Sequence, residues 1–210
     1  MTVVGIDVGG ERKGFHAVAL RDGLFVATNK STDPFTIVDW CLDNAARIVA
    51  VDAPCSWSHA GLSRRAEREL RMNGQIIQCF RTPARERAQR IRFYDWMLNG
   101  ERLYQQLESH YSLFDGVRRD GPVVLETFPH AVVCALAKRV VPAKNKVAVR
   151  RRALRERGCD ISGLKNIDFV DAALCALTAE AFLKDQWQCF GDRKEGFIVV
   201  PDSDYLGWRE

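Results

Sequence analysis

Five carboxylates stand out by where they fall. Asp7 lies near the end of the apolar run TVVGIDV, Asp52 sits at the end of RIVAVDAP, and Glu126 ends the run in GPVVLETFP. Asp168 and Asp171 head the apolar stretch NIDFVDAALCALTAEAF. Residues three apart share one face of a helix, so these two acids point the same way. Each acid alone has an ordinary reading, as a turn or helix cap or as the partner of an arginine. Asp168 stands where a helix start favours negative charge, whereas Asp171 is one turn further in, beyond easy capping range. Gathered at one place, such carboxylates cannot all ionise without compensation. Mg2+ or Mn2+, hard cations that prefer oxygen ligands, are the usual compensation. Two such ions about 3.5–4 Å apart clamp the attacking water and the leaving oxygen of a phosphodiester. The chemistry open to these residues is metal-dependent phosphodiester hydrolysis.

The basic residues fit that substrate. Of 31 Lys and Arg, 23 are Arg, with nine between Arg64 and Arg92 and five between Arg150 and Arg157. Arg favours bidentate contact with phosphate and carboxylate. Clustering on a net charge of only +4 indicates local basic surfaces, and points to nucleic acid, DNA or RNA, as the partner. The competing reading is solvated helix faces paired with Glu67, Glu69 and Glu86. Tyr94, Trp96, Tyr104 and Tyr111 lie among these helices, spaced either to stack on bases or to fill a local core. His16, His59, His110 and His130 lack metal-binding spacing, although His130 is placed to orient a water. The seven cysteines form no CxxC pair and fit buried thiols in a reduced, cytoplasmic protein. No apolar run approaches the roughly 20 residues of a membrane helix, and the N-terminus reads as a core strand, not a signal peptide. The oligomeric state is open, a homodimer included.

The elements that must carry the acids follow from patterning. Residues 2–8, 14–20 and 24–29 read as three antiparallel strands joined by Gly-containing turns. Residues 33–46 read as a helix with Asp33 as N-cap and Pro34 at its first position. Buried strands follow at 47–54 and 121–129, then helices at about 129–138, 143–157 and 165–184, and a last strand at 196–201, on the edge or in a terminal hairpin. Between the two buried strands, residues 55–120 are polar, Arg-rich and read as mainly helical. The expected fold is α/β: a ribonuclease-H-like mixed five-stranded sheet, three antiparallel strands then two parallel, flanked by helices. Residues 1–210 would form a single domain with 55–120 as a helical insertion. Parallel neighbours would bring Asp7, Asp52 and Glu126 to one sheet edge, where open α/β sheets place their sites.

The segments GIDVGG, VDAP, RRAERELR, FRTP, ETFPHA, KNK with VRRRALRERG, and NIDFVDAALCALTA occur in that order. Together they resemble the family catalogued as domain of unknown function 429, over most of the chain. The D-x-x-D-A pattern and the IDxG segment are also similar to acidic motifs of RuvC-type junction resolvases. The resemblance implies a ribonuclease-H-like nuclease with a metal site of Asp7, Asp52, Glu126 and Asp171, joined by Asp168. The family's basic motifs correspond to Arg64, Arg68, Arg71, Lys144, Lys146 and Arg150, to which phosphate binding is assigned along with Lys13. Glu67 departs from the Asp expected in that motif.

Two other readings compete. The acids could serve only as structural partners of the arginines in a non-catalytic module that binds nucleic acid or an acidic partner. GIDVGG followed by Lys13 also resembles the phosphate loop of actin-like and sugar-kinase ATPases, which need two such lobes and a longer chain.

Overall fold

A run that is apolar on both faces belongs in the middle of a covered sheet. Strand β1 (Thr2–Val8) is such a strand, with all seven residues buried. The computed structural model describes residues 1–59, 61–202 and Tyr205. β2 (Phe15–Arg21) and β3 (Leu24–Ser31) follow as an antiparallel meander. Helix α1 (Pro34–Asp43) opens as its sequence dictates, with the Asp33 carboxylate accepting from the backbone N–H groups of Phe35 and Thr36. β4 (Ala46–Asp52) then runs parallel to β1.

The next stretch is more broken than its helical patterning suggests. Helix α2 (Arg65–Glu69) is a single turn or so, followed by a small hairpin of β5 (Arg71–Met72) and β6 (Gln75–Ile76). Asn73 and Gly74 turn that hairpin, both at positive φ, as a two-residue Asn-Gly loop does. After α3 (Arg85–Ala88) and a 3-10 turn at Arg92–Tyr94 comes the long helix of this region, α4 (Asp95–Leu107). β7 (Ser112–Leu113) joins the main sheet beside β8 (Val123–Glu126).

Helices α5 (Pro129–Leu136), α6 (Lys146–Glu156) and α7 (Ile167–Leu183) precede a hairpin of β9 (Trp187–Asp192) and β10 (Gly196–Pro201). The main sheet has eight strands in the order β3-β2-β1-β4-β8-β10-β9, with β7 against β8. The five expected strands keep their expected order, the order of a ribonuclease-H-like sheet. The sheet then continues, because β10 lies parallel to β8 and inside β9. The sequence reading leaves β9 out.

Strand alternation splits the core into two layers. Val3, Ile48, Val123 and Leu125 pack with α5, α6 and α7. Val4, Ile6, Val49, Val51 and Val124 pack with α1 and α4. Helix α7 is buried on every side from Phe169 to Phe182, which accounts for its lack of a polar face. It lies directly on β1 at Gly5, where a Cβ would stand 2.0 Å from the Ala172 carbonyl oxygen and 2.1 Å from the Ala176 nitrogen. This close approach brings the head of α7 to the end of β1.

Candidate functional site

Asp7 and Asp52 are direct register partners on the parallel strands β1 and β4. Asp7 shares its alternation with Val3 and Gly5, and Asp52 with Ile48 and Ala50, so both turn toward α7. The cap of α7 is Asn166, whose side chain accepts from the Phe169 N–H at 3.0 Å. Asp168 is thereby free of the capping role that was its simplest alternative. Asp171 follows one turn later, buried. Asp7, Asp52, Asp168 and Asp171 line one cleft of about 440 Å³ at this edge of the sheet.

Protein cations meet some of this charge. Lys13 Nζ lies 2.8 Å from Asp168 Oδ1 and 3.5 Å from Asp7 Oδ2. Arg150, itself buried, donates to Asp171 Oδ2. The pairing is incomplete, because Asp7 Oδ2 and Asp171 Oδ1 are buried without a hydrogen-bond partner. Burial, together with the charges of Asp171 and Asp168, pushes the Asp7 carboxyl up to about 7 against the opposing pull of Lys13. Asp52 is also held well above the usual carboxylate range, by burial first and then by Asp7 and Asp171. Burial raises Asp171 as well, with Arg150 opposing it.

Glu126 lines the same cleft but is paired separately from these four. It shares its alternation with Val124, so it leaves the sheet on the side of the second core layer. Both its oxygens are engaged: Arg64 Nη1 donates to Oε2 at 2.7 Å, Nη2 to Oε1 at 2.5 Å, and the Cys55 N–H to Oε2 at 2.9 Å. Arg64 Nε also donates to Glu67 Oε1 at 3.0 Å, while Glu67 Oε2 accepts from the backbone N–H groups of Arg64 and Thr82. Burial would lower the proton affinity of the Arg64 guanidinium, but the Glu126 carboxylate overcomes this and raises it well above its ordinary value. Glu67 therefore has a structural task in its motif: it anchors Arg64 and the Thr82 loop.

The residues expected to bind phosphate divide into three groups. Arg64 and Arg150 depart from that expectation, since both are buried and committed to carboxylates. Lys13 and Lys146 line the cleft. Arg68, Arg71 and Lys144 are exposed and lie outside the lining, with Arg68 donating to the Ser63 carbonyl and Arg71 to the Glu69 carbonyl.

His16 belongs to no metal-binding spacing motif. Its signal is the β1–β2 register, which sets it opposite Asp7. The ring is fully buried, neither nitrogen has a hydrogen-bond partner, and Nε2 is 3.8 Å from Asp168 Oδ2. Burial lowers its proton affinity against the opposing charge of Asp168, favouring the neutral ring. Asp7, His16 and Asp168 each offer a ligand atom within 4.8 Å of the others. The neighbouring Cys55 thiol is pushed up by burial and by Glu126, so it is no thiolate nucleophile. Among the described residues all seven cysteines are free, and no helix is long and apolar enough to cross a membrane.

Residues 5–196 match the model of a family described as Protein of unknown function (DUF429). The chain belongs to that family. The span matched to DUF429 contains all five acids and every basic residue discussed above. A Thermus thermophilus RuvC structure is similar over 88% of this chain and 96% of that one, at 16% identity and a TM-score of 0.46. No curated protein matches.

Proposed function

We propose that this DUF429 chain is a metal-dependent phosphodiesterase that hydrolyses nucleic acid. The observation that carries the reading is an uncompensated charge. Six acids line the cleft, Asp7, Asp52, Glu67, Glu126, Asp168 and Asp171, against four bases, Lys13, Arg64, Lys146 and Arg150. The formal excess is two negative charges, one of them in the Glu67–Arg64–Glu126 group, and Asp7 Oδ2 and Asp171 Oδ1 are buried without hydrogen-bond partners. One divalent cation of the Mg2+ or Mn2+ type balances that excess, and carboxylate oxygens are its preferred donors. The motifs raise the expectation of two ions. The charge count favours one, with the Lys13 ammonium already standing between Asp7 and Asp168.

Asp7 would hold the ion, with Asp52 and Asp171 on the same cleft lining; the group whose ligand atoms already lie within 4.8 Å of one another among the described residues is Asp7, His16 and Asp168. Bound there, it would supply Lewis-acid polarisation of a phosphoryl oxygen and a more acidic water. Arg150 fixes the orientation of Asp171, and Lys13 does the same for Asp168. Asp52, on the cleft lining, would accept a proton from the attacking water. Lys146, exposed at the start of α6, is free to meet a phosphate. Glu126 and Arg64 act as a rigid wall, anchoring the chain after β4 through the Cys55 N–H. The test compares wild type and Asp7→Asn on DNA and RNA with Mn2+, alongside thermal unfolding. Cleavage and Mn2+-dependent stabilisation are expected for the wild type only. Equal cleavage by both proteins, or none by either, sinks the reading.

A second reading, a non-catalytic nucleic-acid-binding module, is favoured by one observation: Glu126 and Asp171 already have buried arginine partners. On that reading Mn2+ leaves the unfolding temperature unchanged, because nothing binds the native state selectively.

A further inference from the structure

The cleft has an aromatic wall that the hydrolytic residues do not use. Phe80, Phe93 and Trp96 line it together with the acids. Phe80 and Phe93 are 60% and 56% exposed, a costly placement for large apolar rings that nothing in the core explains. Their centroids are 5.5 Å apart at an interplanar angle of 68°, and Phe80 meets Trp96 at 6.2 Å and 62°. These edge-on contacts fix the rings against one another while leaving ring surface open to the cleft. The wall comes from two separate segments, the loop before α3 and the 3-10 turn with the first turn of α4.

We infer that this wall stacks an unpaired nucleobase, so the strand entering the cleft is single-stranded or carries a nucleotide extruded from a duplex. The inference rests on the proposed phosphodiester chemistry of the same cleft and names its substrate class. Features of one cavity match the phosphate and the base of a nucleotide strand. The acids, with a cation, meet the scissile phosphate. Lys146 on the lining meets its charge. The rings meet the base, whose π-face any sequence offers. A cavity of about 440 Å³ falls in the range of small-ligand sites, suited to single nucleotide units and too small to enclose a duplex. Charge also argues against a second copy of this chain as the occupant. Exposed Arg81, Arg90 and Arg92 flank the two phenylalanines in sequence, and a two-fold contact through this patch would set like charges face to face.

The experiment measures binding of a short fluorescein-labelled phosphorothioate single strand, DNA and RNA in separate arms, and of the matching DNA duplex, with Mn2+ present. The proteins are wild type, Phe80→Ala, Phe93→Ala and Phe93→Tyr. A 2-aminopurine base within the strand reports stacking, and calorimetry with Mn2+ alone reports the metal site. The expected result is tighter binding of the single strand than of the duplex, quenching of the 2-aminopurine, and affinity about 5- to 150-fold weaker in each alanine variant, the range of one lost base–aromatic stack. Phe93→Tyr should restore binding, and Mn2+ affinity should be the same in all four proteins. Equal binding of duplex and single strand, or alanine variants that bind the strand as wild type does, overturns the inference. So does a wild-type dimer that the alanine substitutions dissociate. The nuclease reading fails separately: strand binding that depends on Phe80 and Phe93 without any cleavage of an ordinary phosphodiester strand leaves the stacking wall standing and removes the hydrolysis.

Discussion

In metal-free protein, Asp7→Asn should stabilise the fold at neutral pH, although it removes the residue on which the proposed chemistry most depends. The Asp7 carboxyl, ordinarily near 3.8, is pushed up to about 7, chiefly by burial. The folded state therefore binds this proton more tightly than the unfolded chain does. Below about pH 3.8 both states are protonated and the group costs nothing. As pH rises from there to about 7 the unfolded chain ionises first and stability falls, and above about 7 the penalty is complete. At about 1.4 kcal/mol for each tenfold difference in proton affinity, the full penalty is roughly 4 kcal/mol. That figure already contains the opposing pull of Lys13, so only the imperfect replacement of a carboxyl by an amide trims the net gain, to about 2–4 kcal/mol. For a chain of this size that is roughly 5–15 °C in the unfolding temperature. Thermal and urea unfolding in EDTA at about pH 8 and about pH 4 measure it. The variant should be the more stable protein at the higher pH and lose that advantage at the lower. Saturating Mn2+ should then stabilise the wild type and leave the variant nearly unmoved. A variant less stable than wild type at pH 8 without metal, or a difference that does not change with pH, refutes the electrostatic account of the cleft.

Calorimetry or Mn2+ spin counting should give one ion per chain, and Lys13→Ala should admit a second by vacating the space between Asp7 and Asp168. Two equivalents in the wild type contradict the charge count. Mn2+ affinity should fall as pH is lowered through about 7, because the Asp7 proton must leave before the ion binds; an affinity flat from about pH 6 to 8 speaks against Asp7 as a ligand. Arg64→Met strands the buried Glu126 carboxylate and should cost about 3–5 kcal/mol in urea unfolding, with Arg64→Met combined with Glu126→Leu recovering much of it. Gly5→Ala drives a methyl group into the α7 backbone and should destabilise by about 4 kcal/mol or more, read as lost soluble yield or a lowered unfolding midpoint.

Much of the fold is legible because its signals are local. Continuous apolar runs mark β1, β4 and β8, and Asp33 with Pro34 marks the start of α1. The D-x-x-D spacing on α7 places Asp168 and Asp171 on one face by helical geometry alone. Other local signals are masked by their surroundings. Met72-Asn73-Gly74-Gln75 is an Asn-Gly hairpin pattern, yet the Arg-rich composition around it favours a helix. Strand β9, WQCFGD, alternates weakly and is half-buried throughout, so its pattern gives little until β10 is there to pair with it.

The acids were visible as a set, but their partners were not. Glu126 is separated from Arg64 by 62 residues, and Asp171 from Arg150 by 21. No periodicity links such positions, and arginine-rich stretches offer many equivalent candidates. Loop geometry likewise hides the aromatic wall, since it alone brings Phe80 and Phe93 together. His16 is an intermediate case: its place beside Asp7 follows from the hairpin register, which the turn between Val8 and Phe15 sets.

The sequence by itself determined which residues carry charge at strand ends and at the head of α7, because alternation and helical period are properties of the local backbone. Tertiary structure alone decided which of those charges are already answered. Burial depth and long-range pairing set the energy of a carboxylate, and both depend on what the rest of the chain packs against it. Folding thus separates Glu126, locked by Arg64, from Asp7, held only by a long ion pair with Lys13, and from Asp171, left with one buried oxygen that accepts no hydrogen bond.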